Sequence, residues 1–117
     1  MNKICTSIEQ SKKLIELGID VNTADIIYNI FGVSYVRHDT PIDKYHTPAW
    51  SLAALIKILP DKITIDNETY YPFFNKKGIA FRGPISWDGQ KSKSFEMDDI
   101  LDAAFEMIVW LKENNKI

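Results

Sequence analysis

His38, Asp39, Asp43 and His46 fall within nine residues of one polar stretch, HDTPIDKYH. Imidazole and carboxylate together suit zinc or a similar divalent ion. The spacing matches no established ligand pattern, and such a stretch reads first as a solvated loop, so neither a metal nor another cofactor is expected. Cys5 is the single cysteine. With His38 or His46 within hydrogen-bond reach it would make a nucleophile. Just ahead of a helix start, it reads better as a buried, inert small hydrophobe. Asp98, Asp99, Asp102 and Glu106 share one helical face and offer a carboxylate pair for acid–base work. Acids near a helix N-terminus are stabilising in any case, so capping and solvation explain them without catalysis. No catalytic residue is assigned, and an enzyme is the less favoured reading.

The aromatic and basic residues between 70 and 93 carry the strongest binding signal. Lys77-Gly78-Ile79-Ala80-Phe81 resembles the RNA-recognition string K/R-G-F/Y-G/A-F. Tyr70, Tyr71, Phe74 and Trp87 lie nearby, with Phe73 among them, as do Lys76, Arg82, Lys91 and Lys93. Rings on a sheet face can stack bases while cations hold phosphate. The string fails at Ile79, where a stacking aromatic belongs, and aromatic-rich strands are usually core. The same rings, where one core cannot hide them all, would form a surface for a protein partner or for self-association. The candidate binding residues are therefore Tyr70, Tyr71, Phe74, Lys76, Lys77, Phe81, Arg82 and Trp87.

Helices and strands must position these groups. Thr6 with Glu9 reads as a capping box, and Gly18 as the stop, for a helix over 7–17 with a narrow stripe of Ile8, Leu14, Ile15 and Leu17. Thr23 offers a second cap, after which IIYNIFGVSYVR is ambiguous between a short helix and a strand, with Val33, Tyr35 and Val36 favouring β. Thr47 as cap and Pro48 at the first helical position start a helix that Pro60 ends. Apolar nearly all round, it should be the most buried of three. ITI, TYYPFF, GIAFR and ISW then read as strands, with turns at Asp66-Asn67, at 75–78 and at Asp88-Gly89. Pro72 demotes its strand to an edge or a bulge, Gly83-Pro84 breaks the chain, and QKSKS is solvated. The stretch DDILDAAFEMIVWLKE is an amphipathic helix capped by Asp99. Leu101, Ala104, Ile108 and Leu111 lie on its apolar side, and Asp99, Asp102, Glu106 and Glu113 on its wet side. The class is α+β, one domain over 1–117, with three main helices on one face of a small antiparallel β-meander.

Composition narrows function by exclusion. The chain has 117 residues, 45% hydrophobic and 26% charged, with a formal net charge of -2, which argues against broad electrostatic capture of nucleic acid or anionic membrane. No apolar run approaches the roughly 20 residues of a membrane span, and one cysteine fits a soluble protein of the cytoplasm. No phosphate-binding glycine loop, paired Cys/His array or nucleophile elbow occurs. Four strings together, CTSIEQSKKLIELGID, TAD at 23–25, TPAWSLAALIKILP at 47–60 and IVWLKEN at 108–114, resemble a group of small Bacteroides-type bacterial proteins associated with phage or other mobile elements. The resemblance implies a bacterial or phage context and no particular activity. The expected function is a non-enzymatic protein-interaction module with a protein partner or a second copy. The alternative is a nucleic-acid-binding accessory protein using the hairpin from Lys76 to Arg82.

Overall fold

The computed structural model describes every residue except Met1, Asn2, Asp39, Thr40, Pro41, Lys77 and Asp88, and the backbone alone at Ser86. The described residues form helices α1 (Ile8–Glu16), α2 (Leu52–Ile58) and α3 (Ile100–Glu113), a short 3-10 turn at Val21–Thr23, and seven strands. Strands β1 (Ile26–Tyr28), β2 (Ser34–Val36) and β3 (Thr47–Ala49) make a sheet of order β2-β1-β3. Strands β4 (Ile63–Ile65), β5 (Glu68–Phe74), β6 (Gly78–Ser86) and β7 (Gly89–Glu96) make a second sheet in meander order. All pairings between strands are antiparallel, so the fold is α+β with two sheets where the sequence suggested one.

Helix α3 rests on β6 and β7 and also packs against α2, whereas α1 lies against β3 of the smaller sheet. Leu101, Ala104, Met107, Ile108 and Leu111 are all buried, in one core with Leu14, Trp50, Leu55, Ile63, Tyr70, Ile79 and Phe81. The apolar side expected for the last helix is thus the side that is hidden. Asp99 departs from its expected wet position. It is buried, its Oδ1 accepts the Leu101 N–H at 2.9 Å as an N-cap, and its Oδ2 accepts the backbone N–H of Lys3 at 2.6 Å. The most buried helix is α3 rather than α2, because α2 is two turns long and buries only Ala54 and Leu55.

The other helix starts move by one to four residues, each for a visible reason. Ser7, not Thr6, caps α1, in a capping box closed by Gln10 rather than Glu9. Thr6 is instead buried: its Oγ1 bonds the Ser11 hydroxyl at 2.8 Å and accepts the Trp50 N–H at 3.1 Å, tying α1 to the start of α2. Ile15 of the expected stripe is left exposed. Asp20 caps the 3-10 turn, and Thr23 accepts the indole N–H of Trp50 at 2.9 Å. Ser51 caps α2, and Asp25 accepts both its N–H and its hydroxyl.

Thr47 and Pro48 belong to β3. In the register Ile27↔Pro48, the bonded pairs of β1 with β3 are its neighbours Ile26↔Ala49 and Tyr28↔Thr47, because Ile27 turns its backbone groups to β2. The missing N–H of Pro48 therefore lies on the open side and costs no ladder bond. Pro72 is placed by the same rule. The bond from Asn75 N–H to Gly78 C=O fixes the alternation of β5 with β6, so Pro72 faces away from β6. There β4 has already stopped pairing at Tyr70, which makes the position an edge, as the proline suggested. Asp66 and Asn67 both have positive φ and form the tight β4–β5 turn. Gly83-Pro84 does not end a strand. Strand β6 runs through it with a register shift between Arg82 and Ile85, and a methyl group at Gly83 would stand 2.7 Å from the Tyr70 ring. The stretch QKSKS is exposed except at the half-buried Lys93, and it lies within β7.

Candidate functional site

The acidic face of α3 is occupied by structural work. Asp102 Oδ1 accepts from Lys3 Nζ at 2.7 Å and from Gln10 Nε2 at 2.8 Å. Partial burial pushes its carboxyl pKa up, but the Lys3 and Gln10 hydrogen bonds outweigh this and leave it below the ordinary carboxylate value. Asp99 is the cap of α3, while Asp98 is exposed and Glu106 half-buried.

In the polar loop, His46 Nδ1 and Asp43 Oδ1 are 2.8 Å apart. That hydrogen bond and a second one from the Tyr45 N–H lower the Asp43 pKa. Asp39 lies outside the described residues. Among those described, no group of three or more histidine, cysteine or acidic side chains is arranged to hold a metal. Cys5 is buried, with its sulfur 3.4 Å from the Tyr28 hydroxyl. Tyr28 also donates to the Thr6 carbonyl at 2.9 Å. Burial, then the Cys5 contact, push the Tyr28 pKa up to about 12.

The larger sheet separates the aromatic candidates by face. Paired residues share a side, so Tyr70, Phe81, Ile79 and Phe95 point towards α3, while Tyr71, Phe73, Arg82, Ser92 and Ser94 point away from it. Tyr70 and Phe81 are buried in the core and line no surface. Phe74 is on the α3 side but beyond its cover, and is half-exposed. Lys76 is exposed at the β5–β6 turn, Lys77 lies outside the described residues, and Trp87 is fully exposed at the β6–β7 turn. The eight candidates therefore do not converge. What the fold does bring together is Tyr71, Phe73 and Arg82 on the uncovered face, with the Arg82 guanidinium 3.5 Å from the Phe73 ring centre. Phe73 and Arg82 flank a shallow depression of about 170 Å³ that also includes Ser92, Ser94 and Glu96.

The smaller sheet holds a surface that the sequence reading passed over. Ile30, Phe31, Val33, Tyr35 and Val36 are 68%, 82%, 57%, 40% and 58% exposed, and all lie on β2 or the turn that leads into it. The turn is held in place. Asn29 Oδ1 accepts the N–H groups of Phe31 and Val33 at 2.9 and 3.1 Å, Gly32 takes φ 75°, and its N–H reaches the Asn29 carbonyl. A fixed turn that shows Ile30 and Phe31 to water runs against the usual polarity of turns. The signal was present in NIFGV, a turn with an asparagine and a glycine whose other members are all apolar.

No helix among the described residues is long and apolar enough to cross a membrane. Comparison with protein-family models, with curated proteins and with solved structures returns no match.

Proposed function

We propose that this chain is a non-enzymatic protein-interaction module of a bacterial or phage-associated cytoplasmic setting, and that it engages its partner through the β1–β2 hairpin. The observation that carries this reading is the run of exposed apolar side chains from Ile30 to Val36, held on a turn braced by Asn29. Apolar surface shown on a pre-formed turn costs little ordering entropy when it is covered, which is how a binding surface differs from a loose loop. Asp99, Asp102 and the Asp43–His46 pair are engaged in capping and local hydrogen bonds, which supports a non-enzymatic reading. The test is affinity capture from the native host with wild-type chain and with Phe31→Asp. A protein retained by the first and lost with the second supports the reading; an identical captured set with both variants sinks it.

The uncovered face of the larger sheet supports a second reading, binding of single-stranded nucleic acid. Tyr71 and Phe73 offer stacking surface beside Arg82, while Glu96 on the same side opposes phosphate. Salt-sensitive binding of a mixed-sequence oligonucleotide, weakened by Arg82→Gln, would favour it. Absence of binding at low ionic strength removes it.

A further inference from the structure

Strand β2 is the outer strand of the smaller sheet, and its free edge has a definite pattern. The bonds Arg37 N–H to Asp25 C=O and Asn29 N–H to Val33 C=O are pairs opposite each other in the β1–β2 register. Hydrogen-bonded pairs alternate in an antiparallel ladder, so Tyr35 also turns its N–H and C=O to Ile27 of β1. Ser34 and Val36 then turn theirs outward. Among the described residues, the free edge presents two donors and two acceptors, two residues apart, and β2 itself holds no lysine, proline or bulge.

This edge is complementary to itself. We infer that β2 pairs antiparallel with β2 of a second copy of this chain, about a two-fold axis at Tyr35, so that two three-stranded sheets become one. The inference rests on the interaction reading above and names the partner. With Tyr35 facing its own copy, Ser34 faces Val36 of the second copy twice, and each such pair exchanges two backbone bonds, four in all. Centring the axis on Ser34 or on Val36 would give one such pair and two bonds, so the Tyr35 centre uses every outward group.

Charge and shape agree with this occupant. The stretch from Ile26 to Val36 carries no charged side chain, so two copies meet here without like-charge repulsion. Arg37, the cation that follows β2 in sequence, is turned back onto its own chain, where its guanidinium donates to the carbonyls of Val21 and Ala24. Ser34 and Val36 lie on the sheet face shared with Ile26, Tyr28 and Ala49. On that face an open depression of about 390 Å³ is lined by Ile4, Cys5 and Tyr28 together with Ser7, Ser34 and Lys3, whose ammonium is engaged by Asp102 at 2.7 Å. Because Val36 of the second copy stands opposite Ser34, it falls at the rim of this depression. The pairing is a case of strand addition at a sheet edge, closed by symmetry so that no further copy can add.

Light scattering across a concentration series tests the inference. The mass is expected to rise from 13.5 kDa towards twice that value. Val36→Pro removes an outward N–H and no bond within the sheet, so circular dichroism should report an intact fold while dimer affinity falls roughly tenfold or more. In a Cys5→Ser background, Tyr35→Cys should form an interchain disulfide on mild oxidation, since facing residues at a non-bonded pair sit about 4.5 Å apart. Ser34→Cys, whose two copies are out of register, should not. A constant monomer mass, or equal cross-linking at 34 and 35, overturns the pairing. A monomer that still captures another protein through Phe31 overturns the pairing alone and leaves the interaction reading standing.

Discussion

In the four-stranded sheet, one side is closed by α3 and the other is left to solvent, and the side chains alternate accordingly. Tyr70, Ile79 and Phe81 are buried, while Tyr71, Arg82 and Ser92 are not. In the three-stranded sheet, burial runs across the strands instead. The central β1 buries Ile26 and Ile27, β3 buries Pro48 and Ala49, and β2 buries nothing, although it carries a tyrosine and a valine. The larger sheet is thus finished within one chain. The smaller one stops at a strand whose composition belongs in an interior, which is why the binding surface is argued there.

The sharpest way to break this contrast is to cut the same kind of side chain from each sheet's surroundings. Ile108→Ala, in the α3 surface that closes the larger sheet, should destabilise by about 2–5 kcal/mol through lost burial and a residual cavity. Val36→Thr on the smaller sheet should change the unfolding free energy of the dilute monomer by no more than about 0.5 kcal/mol. Urea denaturation of both variants decides it, and equal losses would mean that β2 is already covered. Next in size is Gly83→Ala. The added methyl would meet the Tyr70 ring at 2.7 Å, inside the core and beside the β6 bulge. The ring must shift, at a cost of roughly 1–3 kcal/mol. An unchanged melting temperature would mean that the Tyr70–Gly83 contact is looser than described.

The two sheets also differ in how far they could be read from the sequence. For the larger one, strand identities, the Asp66-Asn67 turn, the edge placement of Pro72 and the buried stripe of α3 all follow from local pattern. Its errors, at Gly83-Pro84 and in QKSKS, arise because pairing with a neighbour can carry a strand through weak local signals. The smaller sheet was largely illegible. Its strands are three residues long, too short for alternation to show, and β3 is a Thr-Pro-Ala segment whose local chemistry spells a helix start. Only the pairing Ile27↔Pro48, a contact between distant residues, makes it a strand. For the candidate surface, aromatic content alone does not say which rings stay exposed. Tyr70 and Phe81 are fixed in the core by a register that no local spacing reveals.

Smaller effects come from the segment that ties the N-terminal residues to each sheet's neighbours. Asp102 joins α3 to Lys3 and α1, and its folded pKa is below its unfolded value of about 3.9. A depressed carboxylate contributes stability that is present above the unfolded pKa and is lost as pH falls through the folded one. The stability gap between wild type and Asp102→Asn should therefore be flat above about pH 5 and narrow below about pH 4. Its partner Lys3 is half-exposed, so added salt should shrink the gap as well. A gap independent of pH would mean that the Lys3 contact is not made in solution.

Tyr28 is the corresponding tie on the smaller sheet, and its sign is opposite. Its hydroxyl is held protonated between Cys5 and the Thr6 carbonyl, with a pKa of about 12 against about 10 in the unfolded chain. The stability this group contributes is complete below pH 10 and is lost as pH rises towards 12, because the unfolded chain releases the proton first. The difference in phenolate absorbance between wild type and Tyr28→Phe should therefore emerge above about pH 11 and not near pH 10. If β2 pairs with a second copy, the depression beside Tyr28 closes further. The same difference spectrum, taken at high protein concentration, should then shift to still higher pH, whereas in Val36→Pro it should not move with concentration.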